Sequence, residues 1–313
     1  MRTSKTIPLD NNGDVRAAVN PAYGAAISSL QWRRNGHWHE LLYRPGYAGG
    51  DDGWRGQAPW LWPAVGRHFT PEQLAAEDSP QQARLRIDGK DYPLPRHGFA
   101  MDSGWKAVEA RPDRVRCRLT DGEETRRVYP FPFAAEIETA LLPDGVRARF
   151  TVTNPGDRPL PFAVGNHLTL ALPLPDGSEE ADARLETAAK AEFRRVTPVG
   201  FEGAPLATRP DGMPLTDPLA ENAIIAGFTG PEAALTVAGR ACRVTVTQHS
   251  DDLAAAGLGP DAYRFVLWAD RKKRFFCPEP WLGVPNAVNT GQHRATLTPG
   301  ATFAWEMTIR LSG

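Results

Sequence analysis

Four segments place polar side chains in surroundings that would hold them still. Glu279 lies in Phe275-Phe276-Cys277-Pro278-Glu279-Pro280-Trp281-Leu282-Gly283, where two prolines fix the backbone and so define where the carboxylate sits. A carboxylate among bulky aromatics is costly unless it is paired or working, although a Glu between prolines reads equally well as an exposed turn residue. His167, in Gly165-Asn166-His167-Leu168-Thr169-Leu170, falls inside an apolar strand pattern. A histidine there is either satisfied by a neighbour or a general acid tuned near neutrality. His97 lies between a proline-terminated strand and Gly98, and taken alone it reads more readily as structural. Trp54 to His68 combines Trp54, Trp60 and Trp62 with Arg55 and Arg67. Indole faces stack on the C–H surface of a sugar and guanidinium groups donate paired hydrogen bonds; the plainer reading is an aromatic core edge with solvated arginines.

Other chemistries find little support. His37 and His39 flank Trp38 and would share one strand face with Glu40 in reach, a weak metal pattern that reads better as two exposed histidines. Cys117, Cys242 and Cys277 are scattered and odd in number, which fits buried thiols rather than a disulfide framework or zinc motif. The chain holds no G-x-S-x-G, no P-loop and no G-x-G-x-x-G between a strand and a helix, so esterase, nucleotide and dinucleotide chemistry lack their usual anchors. Lys plus Arg number 36 against 37 Asp plus Glu, a balance that offers no electrostatic footprint for nucleic acid or an anionic membrane. A neutral small molecule is the expected partner. The opening residues lack an apolar h-region and no stretch is long enough to span a bilayer, so a cytoplasmic protein is expected.

The elements that must position these residues read as β structure. The 29 Gly and 29 Pro are spread through all 313 residues, punctuating many short elements and marking no domain boundary, so one domain over 1–313 is expected. Val146, Ala148, Phe150 and Val152 alternate with polar residues after Pro143-Asp144-Gly145, and Ala135, Ile137 and Thr139 supply a hairpin partner. Val115 to Leu119 before Asp121-Gly122, Leu85 to Ile87 before Asp88-Gly89, and Trp305 to Leu311 repeat the grammar. Hairpins of this kind predict an all-β, large antiparallel sandwich. Few short helices are expected, beginning at Thr70-Pro71-Glu72-Gln73 and Ser250-Asp251-Asp252-Leu253. Leu174 to Asp217 reads as long surface loops.

In this order and spacing, the segments resemble the aldose 1-epimerase (galactose mutarotase-like) family over nearly the whole chain. Asn20 to Leu30 resembles its opening strands, Pro63 to Arg67 its substrate-binding arginine segment, His97-Gly98 and Asn166-His167 its two histidine motifs, and Cys277-Pro278-Glu279-Pro280 the segment of its catalytic glutamate. The resemblance implies a β-sandwich with a sugar groove across a concave face. It implies Glu279 as base and His167 as acid, with His97 and Arg67 holding the sugar, and neither metal nor redox cofactor. Asn222 stands where many members carry a sugar-binding Asp, with Asp217 the less favoured substitute. Trp54-Arg55-Gly56 and His97-Gly98-Phe99-Ala100 with Trp105 look like the hexose-6-phosphate epimerase branch, but Met101 replaces that branch's arginine, which weakens a phosphate site. Trp281-Leu282-Gly283 looks instead like little-characterised bacterial members. The expected sugar contacts are therefore Arg67, His97, Asn222, Arg55 and Trp281, around a free aldose whose anomers interconvert by ring opening. A hexose 6-phosphate and a non-catalytic sugar sensor are the alternatives, and a glycoside hydrolase, which normally needs two carboxylates, ranks last.

Overall fold

The computed structural model describes residues 6–45, 54–75, 82–194 and 212–313. Two large antiparallel sheets dominate it. The larger has nine strands, in the order Met213–Pro214, Arg184–Thr187, Glu232–Ala238, Arg243–His249, Thr302–Ser312, Gly145–Thr153, Ala134–Leu142, Arg114–Thr120 and Lys106–Arg111. The smaller runs Ala191–Arg194, Asn222–Ala226, Tyr263–Asp270, Phe275–Leu282, Val164–Asn166, Trp60–Leu61, with Leu170–Ala171 also paired to Phe275–Leu282. A four-stranded sheet from Ile7–Asp10 to His37–Glu40 adjoins them.

The alternation in the sequence sets these registers. Ala134–Leu142 buries every second residue, and Pro143 and Asp144 turn it so that Leu142 faces Gly145 and Ala134 faces Thr153. A one-residue slip would expose the whole apolar set, which fixes the register. Trp60 of the smaller sheet lies 6.0 Å from Phe150 and 5.9 Å from Trp305 of the larger, ring centroid to centroid. Each aromatic buried in this way contributes roughly 1.5–3 kcal/mol by area alone.

The helix expected at Thr70 forms as Pro71–Ala75, with Thr70 and Gln73 exchanging the two capping-box hydrogen bonds. Ser250 to Leu253 forms turns, with the Ser250 hydroxyl accepting from the Asp252 N–H, and a 3-10 turn follows at Ala254–Ala256. Two readings need correction. Asp121-Gly122 does not close a tight hairpin, because the helix Glu123–Val128 intervenes before the partner strand. The stretch from Leu174 to Asp217 is not all loop, since Arg184–Thr187 and Met213–Pro214 lie on the edge of the larger sheet and Ala191–Arg194 on that of the smaller; its residues 195–211 lie outside the described ones. Their few residues are too short for periodicity to register. No helix among the described residues is long and apolar enough to cross a membrane.

Candidate active site

The smaller sheet has two apolar faces, which is why alternation alone cannot say which carries chemistry. Phe265, Leu267, Phe276 and Leu282 enter the main core, whereas Val266, Ile224 and Trp281 form a second cluster with Leu61, Val65, Ala163, Val284 and Ala287. Register puts Glu279 opposite Val266, Cys277 opposite Trp268, Trp281 opposite Arg264, and Asn222 opposite Trp268. Side chains two apart share a face, so Cys277, Glu279, Trp281, Trp268, Arg264 and Asn222 stand on one surface of the sheet.

Glu279 is therefore not on a turn. It lies mid-strand with 2 % of its surface exposed. On one side its strand pairs along its whole length with Tyr263–Asp270. On the other it pairs with Val164 and Gly165 at one end and Leu170 and Ala171 at the other, leaving the middle open. Pro278 and Pro280 fall in that gap, the part of a central strand where missing N–H groups cost least.

The chain that bypasses the gap carries His167. Its N–H donates to the Pro59 carbonyl, that of Thr169 donates to Gln57, and the Asn166 amide donates to Ala58, at 2.9, 2.9 and 3.0 Å. Fixed by these bonds, His167 turns its Nε2 to within 3.4 Å of Glu279 Oε1. The Trp281 indole N–H donates to Glu279 Oε2 at 3.1 Å. Gly165 makes room for that indole, since a Cβ there would come within 2.8 Å of the Trp281 ring. Trp54 covers the His167 ring at a 3.8 Å centroid distance, and Trp268 meets it edge-on at 5.5 Å.

His97 arrives by a strained turn. Its φ is 65° and that of Gly98 is 74°, and a Cβ at position 98 would lie 2.2 Å from the Trp62 carbonyl oxygen, so only glycine fits. In return His97 and Gly66 bond reciprocally: the His97 N–H donates to the Gly66 carbonyl at 2.7 Å, and the Gly66 N–H donates to His97 Nδ1 at 3.0 Å. An accepting Nδ1 fixes the neutral ring's proton on Nε2. The ring lies 5.6 Å from that of His167 and 5.7 Å from Trp281. The structure thus gathers Glu279, His167, His97 and Trp281 into one buried corner.

The other sequence candidates are more peripheral. Arg67 is half-buried on the segment that also carries Gly66, its carbonyl accepts from the Asn286 N–H, and its guanidinium makes no ion pair among the described residues. Asn222 is exposed at the start of its strand, beside Trp268. Arg55 is exposed and committed to Asp102 at 3.4 Å and to the face of Tyr23. Met101 packs on the apolar cluster that holds Trp281. Asp217 caps the 3-10 turn Pro218–Glu221 by accepting from the Leu219 N–H. Glu40 accepts from Ser29 and from the Leu30 and Leu42 N–H groups, and with His37 and His39 it makes no metal-sized cluster among the described residues.

Sequence reasoning missed Trp268, whose strand is apolar on both faces and gives no period to read. It also missed that Cys277, a buried thiol as expected, shares the corner. Its Sγ–H donates to Thr169 Oγ1 at 3.5 Å, and burial together with the Glu279 charge pushes its pKa well above the usual thiol range. Arg264, opposite Trp281, donates to the carbonyls of Asp261 and Tyr263 and toward His293 Nε2; burial lowers its pKa to about 10.

A family model for aldose 1-epimerases matches residues 5–310. Among solved structures, the chain is similar to a galactose mutarotase related enzyme from Lactobacillus acidophilus, at 21% identity and a TM-score of 0.79 over 99% of this chain and 98% of that one. It is similar to the Slr1438 protein from Synechocystis at 23% identity and TM-score 0.77, covering 99% and 96%. A galactose mutarotase-like protein from Lactobacillus casei gives 24% identity and TM-score 0.75, covering 98% and 100%. Comparison with curated proteins gave no match.

Proposed function

The chain belongs to the aldose 1-epimerase family, and from that premise we propose that it interconverts the α and β anomers of a free aldose by acid–base ring opening and closure. The observation that carries this reading is the 3.4 Å between Glu279 Oε1 and His167 Nε2. Mutarotation moves protons at two oxygens bonded to the same carbon, the anomeric hydroxyl and the ring oxygen. An acid and a base that serve both must lie almost side by side. A retaining glycosidase instead sets two carboxyl groups about 5–5.5 Å apart across a bond.

Glu279 takes the proton of the anomeric hydroxyl while protonated His167 gives one to the ring oxygen, so the ring C–O bond breaks and C1 becomes a carbonyl. C1 turns about its bond to C2; as the ring closes on the other face, His167 takes back the proton of the ring hydroxyl and Glu279 returns its proton to the carbonyl oxygen. Trp281 holds Glu279 through its indole N–H, a charge-assisted bond that fixes which carboxylate oxygen points at the sugar. His97, with its proton on Nε2, donates to a sugar oxygen, and Arg67, whose guanidinium makes no ion pair among the described residues, binds hydroxyls. Trp54 and Trp268 keep water from the His167 ring. Asn222 and Arg55 contact the sugar from the rim. An unphosphorylated sugar is supported by Met101, which brings no charge, and by Arg55, whose charge Asp102 already balances.

The test is the rate of anomer exchange of glucose, galactose and glucose 6-phosphate by NMR, in the wild type and in Glu279→Gln. Faster exchange of a free hexose, lost in the variant while the sugar still binds, is the expected result. Binding without exchange in the wild type would instead favour a sugar sensor, and a response confined to glucose 6-phosphate would move the protein to the phosphorylated substrate.

A further inference from the structure

Cys277 stands two residues before Glu279 on the same strand face, and the acid–base reading leaves it unused. A ring nitrogen of His167, the Cys277 sulfur and a carboxylate oxygen of Glu279 all lie within 4.8 Å of one another, on three buried residues. We propose that these three side chains form a site for a thiophilic divalent cation of the Zn2+ class, and that its occupancy switches the acid–base pair off.

The geometry suits such an ion. Bonds of about 2.3 Å to sulfur and about 2.0–2.2 Å to nitrogen and oxygen set tetrahedral ligand atoms roughly 3.2–3.7 Å apart. The imidazole and carboxylate already stand 3.4 Å apart, so the sulfur needs only a modest approach. Zn2+ with one thiolate, one carboxylate and one neutral imidazole sums to zero charge, which removes the main cost of burying an ion. Binding releases the thiol proton and hydration waters to solvent, involves no redox change, and leaves a fourth position for water or a sugar hydroxyl. The cation takes the lone pairs that Glu279 and His167 need for proton transfer. That consequence rests on the acid–base reading, whereas the binding itself does not.

Co2+ is the probe, because a thiolate bound to it absorbs in the ultraviolet by charge transfer. Titrating the full-length protein should raise that band, and Zn2+ should displace it. Cys277→Ala and the volume-keeping Cys277→Ser should both lose the band with circular dichroism unchanged, while Cys117→Ala keeps it. In the exchange assay, Zn2+ should suppress the wild-type rate and EDTA restore it. No band at Co2+ up to about 1 mM, or a band intact in Cys277→Ala, overturns the site. A band with Zn2+-insensitive exchange overturns only the switch, and a chain that epimerises none of the sugars still leaves the Co2+ result decisive.

Discussion

The corner around Glu279 and the rim that carries Arg55 and Asn222 are built on opposite terms. In the corner every group is held by another: Glu279 by the Trp281 indole, His97 by Gly66, His167 by its backbone bond to Pro59 and by Trp54 against its ring. On the rim, Arg55 is 62% exposed in its side chain and answers to Asp102, and Asn222 sits exposed at a strand end. Preorganised groups in a site without water act on developing charge at no reorganisation cost, whereas exposed groups gain little because water competes. On the proposed function, this contrast assigns the proton chemistry to the corner and the choice of sugar to the rim.

Substitutions test that division. The largest effect is expected for His167→Ala, which should lower the turnover rate by roughly 10²–10⁴ with little change in sugar binding, since it removes a positioned acid. Exchange NMR against a binding titration reads both. A wild-type rate in that variant would break the division outright. Gly98→Ala should destabilise the fold by about 3 kcal/mol or more, because its Cβ collides with the Trp62 carbonyl in a left-handed turn. Urea denaturation measures this, and a normal midpoint would mean that the His97 turn is not held as tightly as its contacts imply. Trp281→Phe keeps the ring but deletes the N–H bond to Glu279, so turnover should fall by roughly ten- to a hundredfold with KM little altered. A rise in KM alone would instead place the indole against the sugar. Arg55→Ala and Asn222→Ala should raise KM by about tenfold at most and spare turnover, which steady-state kinetics on several sugars would show.

The corner also has a neighbour that should report acid. His68 is fully buried next to Arg67, accepts from the Val288 N–H, and burial lowers its pKa from 6.5 to about 3. The folded form therefore holds His68 neutral where the unfolded chain protonates it. Its contribution to stability is complete above pH 6.5 and is lost as pH falls from there toward 3, at about 1.4 kcal/mol per pH unit. Urea midpoints measured from pH 7 to pH 5 should decline accordingly, and His68→Asn should flatten that slope.

Much of this was legible in advance. Period-2 alternation and turn residues announced the antiparallel sandwich, and rigid or apolar surroundings singled out Glu279, His167 and His97. The members of the Trp/Arg segment divide in the fold: Trp60 and Trp62 are core, Trp54 covers His167, Arg67 adjoins the His97 turn, and Arg55 is committed at the surface. No spacing could have separated them, because their difference lies in what each meets across the fold.

Strand periods, turns and the stiff backbone around Glu279 follow from the order of residues, because these depend on neighbours in the chain. The assembled fold places Pro278 and Pro280 in an unpaired gap of a central strand rather than in a turn. It alone brought His167 to 3.4 Å from Glu279 and set Cys277 and Trp268 on the same face. Those outcomes depend on strand order and register between segments far apart in the chain. Local propensity carries no record of which distant strand pairs with which, so the distance on which the proposed chemistry rests is a property of the fold.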